Sequence, residues 1–206
     1  MKLMLSQISN FDHAVVEFFY ASFGNGDWYS ENIRLIAKYG IYFVPIFFVW
    51  LWIARKKYLN LLRAILSGVF SWQVLSTIIG DIWFRPRPFA DALMGKKEFL
   101  FHRPDHSFPS DHAAFLAGIC FSFYLFGEKK YAKIFLWFTL IISIIRVIVG
   151  VHYPTDIIAG WLVGLVGAYI VKMLDRYLFK FAYEPIVEIW KSFKKYILKF
   201  RNFKIN

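Results

Sequence analysis

Three short polar clusters interrupt an otherwise apolar chain, and their residue types are the ones that handle phosphate-like anions. The first is Arg85-Pro86-Arg87-Pro88-Phe89, the second is Pro109-Ser110-Asp111-His112, and the third places Arg146, His152 and Asp156 within "RVIVGVHYPTD". Ser110 is a good helix N-cap, and an apolar helical run begins directly after it. A helix N-terminus offers unpaired backbone N–H groups and a partial positive charge. The amides of Asp111 and His112, with the Ser110 hydroxyl beside them, therefore suit an anion such as phosphate. Arg87 and Arg146 add planar guanidinium forks that match phosphate oxygens. Pro154 suits the first turn of a further helix. His152 and Asp156 stand four apart, a spacing at which side chains meet across one helical turn. A carboxylate bonded to one ring nitrogen would hold the imidazole in one tautomer and leave the other nitrogen as nucleophile or base. His112 supplies a second imidazole, able to act as general acid for a leaving oxygen. Taken singly, each residue has a plainer alternative: a simple cap for Ser110, a structural His–Asp pair, headgroup anchors for Arg85 and Arg87. His102 and His106 read as loop residues, and His13 as an interfacial residue with no chemistry.

Clusters so far apart in the chain need elements to bring them together, and the rest of the sequence supplies apolar helices. Of 206 residues, 58% are hydrophobic and 21% aromatic, and the mean hydropathy is +0.46. Soluble domains average roughly 45–50% apolar residues. A bilayer core of about 30 Å is crossed by about 20 apolar residues as helix. Five segments qualify: Ile33–Ala54, Leu59–Trp83, Ala113–Phe126, Tyr131–Gly150 and Ile157–Leu174. The third reaches the length only if its polar N-terminal turn sits at the membrane interface. The expected fold is all-α: a polytopic membrane helix bundle of about five core transmembrane helices, with interfacial amphipathic helices at both termini. Residues 10–24, "NFDHAVVEFFYASFG", fit such a surface helix, and the segment 1–30 lacks the order of a cleavable signal peptide. Residues 1–178 are expected to form the membrane domain. The tail 179–206, with Ile186, Val187, Ile189, Trp190 and Phe193 interleaved with lysines, is expected as a basic amphipathic helix on the cytoplasmic leaflet. Residues 84–110 are too long and polar for a bare connector, and Pro86, Pro88, Pro104 and Pro109 prevent a continuous helix there. The lone Cys120 falls inside a span, so no disulfide framework exists.

A net charge of +11 could suggest nucleic acid, but the cations sit beside the spans. Arg55, Lys56, Lys57 and Arg63 flank one helical turn, Lys129, Lys130 and Lys133 another, and Lys191, Lys194, Lys195, Lys199, Arg201 and Lys204 crowd the tail. Alternating helices put these regions on one side, which the positive-inside rule makes cytoplasmic. Asp12, Glu17, Asp27 and Glu31 then fall outside with the three polar clusters. Membrane lipids, not nucleic acid, are the partners this charge implies.

The three clusters resemble those of the type 2 phosphatidic acid phosphatase superfamily, whose fold is shared with vanadium haloperoxidases. That family's pattern is Lys-six-residues-Arg-Pro, then Pro-Ser-Gly-His, then Ser-Arg-five-residues-His-three-residues-Asp. Arg87-Pro88, Pro109-Ser110-Asp111-His112 and Arg146…His152…Asp156 match it in order and spacing. The resemblance implies a metal-independent lipid phosphatase without a cofactor. In it His152 attacks phosphorus to give a phosphohistidine, Asp156 orients it, and His112 protonates the leaving group. Arg87, Ser110, the amide of Asp111 and Arg146 hold the equatorial oxygens. Three positions depart from the pattern. The family lysine falls at Gly80, a role for which Arg85 is the nearby candidate. Asp111 replaces glycine, so its carboxylate has to point away from the phosphate, and Ile145 replaces serine. The Pro-Ser-Asp-His form with "RPRPF" is similar to bacterial undecaprenyl-diphosphate phosphatases. This implies a multi-pass protein of the cytoplasmic membrane with an extracytoplasmic site. Lipid A 1-phosphate, phosphatidylglycerophosphate and phosphatidic acid stand as alternative substrates. A non-catalytic lipid-binding or lipid-moving protein on the same fold is the alternative from another class.

Overall fold

The computed structural model describes residues 2–23, 28–91 and 106–203. His102, Pro104, Asp27 and Lys204, named above, lie outside them. Among the described residues there is no strand. Helix α1 (Lys2–Phe23) is followed by α2 (Trp28–Tyr39), which passes through a 3₁₀ turn at Gly40–Tyr42 into α3 (Phe43–Trp50) and a π segment, Leu51–Arg55. The 3₁₀ turn has a cause in the sequence. Pro45 has no N–H to give the carbonyl four residues earlier, so the helix tightens just ahead of it. Next come α4 (Tyr58–Val69), a π segment Phe70–Ser76 and α5 (Thr77–Ile82), which together form one rod. After the polar segment come α6 (Asp111–Leu125), α7 (Lys129–Ile148) and α8 (Pro154–Leu178). Helix α8 runs through a π segment at Phe179–Tyr183 into α9 (Glu184–Phe203), and Pro185 again lies just past the widened turn.

Four helical stretches among the described residues are long and apolar enough to cross a membrane: Glu31–Arg55, Tyr58–Ile82, Lys129–Ile148 and Pro154–Ile197. The expected third span is different. Helix α6 has 15 residues, about 22 Å at 1.5 Å per residue, and is the central helix of the bundle. Ala113, Ala114, Leu116, Ala117, Ile119, Cys120 and Phe123 are all buried, and they face several sides of the helix. A helix that is apolar all round belongs inside a bundle. Its start at Ser110 is buried against the first turns of α8.

Helices α6 and α8 lie unusually close. A Cβ built on Gly160 would come 2.6 Å from the Ser110 carbonyl oxygen, and one on Gly164 would come 2.7 Å from the Gly118 nitrogen. Small residues one turn apart allow two backbones to approach in this way. On the other flank of α6, Leu61 and Ala64 of α4 and Phe135 of α7 join Leu116, Ile119 and Phe123 in the main core. The two ends of the bundle differ in chemistry. At one end the turns carrying Lys57 and Glu128 meet through a 2.7 Å ion pair, and Arg63 holds Asp175 with its Nε donating at 2.6 Å. The opposite end gathers the three polar clusters.

Candidate active site

Each cluster is placed by a local rule. Proline forces the residue before it out of the helical region. Arg87, ahead of Pro88, is accordingly extended at φ −72°, ψ 154°. Ser110 is also extended (φ −73°, ψ 116°) and stands at the N-cap of α6, but its side chain makes no capping bond. Helix α7 ends because Gly150 takes the left-handed region at φ 67°, where the Val151 N–H turns back to the Arg146 carbonyl at 3.2 Å. That glycine is required twice, since a Cβ there would lie 2.5 Å from the ring of Tyr20 on α1. His152 and Tyr153 then form the short link into α8, whose first residue is Pro154.

The backbone ties the second and third clusters together, because the Ser110 N–H donates to the Asp156 carbonyl at 3.0 Å. Arg87 joins them: its Nη1 donates to the Val151 carbonyl at 3.0 Å and lies 3.2 Å from His152 Nε2. Arg87, Arg146 and His152 are each no more than 2% exposed. Arg87, Asp111, His112 and His152 line one cavity of about 470 Å³, whose remaining wall is apolar: Ile41, Tyr42, Val44, Pro45, Trp72 and Phe115. Asp111 Oδ1 accepts from Ser76 Oγ at 2.7 Å, so the carboxylate that replaces a glycine is engaged by the rod that joins α4 to α5. The Ser110 hydroxyl is buried and has no hydrogen-bond partner among the described residues. A buried polar atom left in that state is costly unless something else meets it. A ligand oxygen at the N-terminus of α6 would do so.

Two expectations change. The first concerns how His152 is held. Its Nδ1 lies 2.9 Å from the Ser107 carbonyl, and Asp156 Oδ2 is 3.9 Å away. The spacing argument assumed one helical turn, but His152 precedes the helix, and Asp156 in its first turn bends back to accept the Tyr153 N–H at 2.8 Å. A carbonyl can only accept, so Nδ1 carries the proton and Nε2 keeps its lone pair toward the cavity. Asp156 acts one step removed, accepting from Ser107 Oγ at 2.5 Å. The second concerns Arg85, expected as a phosphate contact. It is instead enclosed by acceptors: Nη1 donates to Asp156 Oδ1 and Thr155 Oγ1, each at 2.8 Å, and Nη2 donates to Asp12 Oδ2 at 2.8 Å. Its guanidinium also stacks 3.9 Å from the centroid of the Tyr153 ring. Burial works against the Arg85 charge, but Asp156 and Asp12 outweigh it and raise its pKa further. Burial, then the bond to Asp91, pushes the Tyr153 phenol upward, so it stays an O–H donor at 2.8 Å to that carboxylate.

Gly80, the position of the family lysine, is occupied from outside. A Cβ there would meet the His106 ring at 2.4 Å, so an imidazole lies where a longer side chain would begin. Sequence reading missed Ser107, Tyr153, Thr155 and above all Asp12, which it used only as a marker of sidedness. The available signal was a carboxylate in an apolar helix, which is almost never buried without a partner.

A polytopic helix bundle with an imidazole, guanidinium and helix-terminus pocket at one end is the architecture of a membrane phosphatase. The chain belongs to the PAP2 superfamily, which residues 58–180 match. It is 33% identical over 141 residues to the "Bacitracin transport permease protein BcrC" of Bacillus licheniformis, covering 68% of each chain. It is 29% identical over 133 residues to the "Undecaprenyl-diphosphatase BcrC" of Bacillus subtilis, covering 64% of this chain and 67% of that one. Its fold is similar to that of Aquifex aeolicus LpxE, with a TM-score of 0.60 at 23% identity over 76% of this chain and 93% of that one. It is thus a multi-pass membrane protein of a family of membrane lipid phosphatases.

Proposed function

We propose that the chain hydrolyses undecaprenyl diphosphate to undecaprenyl phosphate, through a phosphohistidine on His152 and without a metal. The observation that carries this reading is the cavity itself. At its polar end His152 turns Nδ1 to the Ser107 carbonyl and presents Nε2 to the cavity, 3.2 Å from Arg87 Nη1. Beside them are His112 and the N-terminus of α6, and the rest of the wall is apolar. A polar end and an apolar wall of this size suit a lipid whose charged head enters while its chain stays among the helices.

In the reaction, Nε2 attacks the terminal phosphorus. The bond from phosphorus to the bridging oxygen breaks, and His112 donates a proton to the departing lipid monophosphate. Arg87, Arg146, the Ser110 hydroxyl and the Asp111 amide neutralise charge on the equatorial oxygens, which is usually the largest catalytic contribution. Water, deprotonated by His112, then attacks the phosphohistidine and releases inorganic phosphate, restoring both imidazoles. Guanidinium groups fill the neutralising role a metal would otherwise take. The basic turns at the far end favour an extracytoplasmic site in the cytoplasmic membrane.

The purified protein in detergent is expected to release phosphate from undecaprenyl diphosphate in the presence of EDTA, and His152→Ala is expected to abolish release. A requirement for added Mg²⁺, or full turnover by His152→Ala, would refute the mechanism. A side-by-side panel with lipid A 1-phosphate, phosphatidylglycerophosphate and phosphatidic acid tests the choice of lipid.

A further inference from the structure

Helix α1 reaches the catalytic link through one carboxylate. Asp12 is fully buried, and it has three donors. The Thr155 N–H lies at 3.1 Å from Oδ1, while the Thr155 hydroxyl and Arg85 Nη2 (2.8 Å) meet Oδ2. Thr155 is in the first turn of α8, where backbone N–H groups have no acceptor within their own helix. A carboxylate 143 residues away in sequence supplies that acceptor and complements the positive end of the helix. From Arg85 the connection continues to Asp156 Oδ1 (2.8 Å), from Asp156 Oδ2 to Ser107 Oγ (2.5 Å), and from the Ser107 carbonyl to His152 Nδ1 (2.9 Å).

We propose that Asp12 is a positioning residue for His152, acting through Arg85, Thr155 and Asp156, so that α1 is part of the active-site scaffold. The proposal rests on the reading of His152 as nucleophile. Two consequences of the geometry support it. Asp12 fixes the first turn of α8 and hence the link that carries His152. It also offsets the Arg85 charge, so Asp12, Arg85 and Asp156 together carry one net negative charge. That charge stands close to the ring that becomes positive when Nε2 bonds to phosphorus. Neither effect touches the lipid, so loss of Asp12 acts on bond making and not on substrate binding. A residue that merely fastened α1 to the bundle would change the folded fraction and leave turnover per folded molecule alone.

The test uses the full-length protein in detergent with four substitutions: Asp12→Asn, which keeps the shape and removes the charge, Asp12→Ala, Asp12→Glu, and Thr155→Val, which removes only the hydroxyl partner. For Asp12→Asn the expected result is a kcat lower by about tenfold, the scale on which partners of an oriented histidine are felt. KM is expected to change less than about twofold, with both constants expressed per folded molecule because loss of a buried carboxylate paired with Arg85 also lowers the melting temperature. Asp12→Ala is expected to lose more, Asp12→Glu to recover part, and Thr155→Val to lose less. Wild-type kcat in Asp12→Asn and Asp12→Ala, or losses that track only the folded fraction, would overturn the proposal while leaving the phosphatase reading intact. Orthovanadate binding, read by intrinsic tryptophan fluorescence, separates the two. If wild type turns over none of the lipids but binds orthovanadate, the phosphatase reading fails. Weaker binding by Asp12→Asn then upholds the positioning role, and equal binding overturns it. No binding by wild type overturns both.

Discussion

The Ser110 hydroxyl separates a structural role from a chemical one. A serine that only capped α6 would stabilise the helix, and its removal would cost about 1 kcal/mol. Here the hydroxyl is buried, makes no cap bond and has no partner among the described residues, a state that itself costs about 1–3 kcal/mol. Ser110→Ala is therefore expected to leave the melting temperature unchanged or slightly raised while lowering kcat about tenfold or more. A fall in melting temperature with unchanged turnover would return Ser110 to an ordinary cap. The same reasoning applies to His152, whose orientation comes from a backbone carbonyl that no side-chain substitution removes. Substitution of Asp156 therefore acts on the imidazole indirectly, through Ser107 and Arg85.

Helix α8 sets how the clusters meet. Gly160 and Gly164 present the same close approach to α6, but only Gly160 lies against the Ser110 carbonyl, at the level of the pocket. Filling such a contact forces backbone apart and costs about 1–3 kcal/mol. Gly160→Ala and Gly164→Ala are expected to lower the melting temperature by similar amounts. Gly160→Ala is expected to reduce turnover more, because it pushes Ser110 away from Asp156. Equal turnover per folded molecule in the two variants would show that the glycines serve packing alone. The chain also shows how proline shapes a long rod. Pro45 and Pro185 each sit beside an irregular turn, at Gly40–Tyr42 and Phe179–Tyr183 respectively, without ending the helix.

For the bundle taken as a unit, the separation of the basic end from the pocket end converts charge into orientation. With Cys120 replaced by Ala, single cysteines at Ala90, Lys130 and Lys191 report it, since all three positions are exposed. In intact cells a membrane-impermeant thiol reagent is expected to label Ala90→Cys, and to label Lys130→Cys and Lys191→Cys only after permeabilisation. The reverse pattern would place the pocket on the cytoplasmic side. The fold also gives α1 a part that neither hydropathy nor amphipathicity conveys. It lies against α7, the link into α8 and α8 itself through Val16, Val147, Tyr153 and Ile157 while delivering Asp12 to the pocket end.

The sequence by itself determined the helical class, the rods formed by Glu31–Arg55, Tyr58–Ile82, α7 and α8, and the residue types of the pocket. Apolar length and proline placement are local properties that need no partner to be read. Only the tertiary structure decided that α6 is a short central helix, that Ser107 and not Asp156 meets the His152 ring, that Arg85 faces two carboxylates, and that His106 covers Gly80. Each of these depends on which distant side chain arrives first at a buried donor or acceptor. That competition is settled by packing between helices, and spacing along the chain holds no record of it.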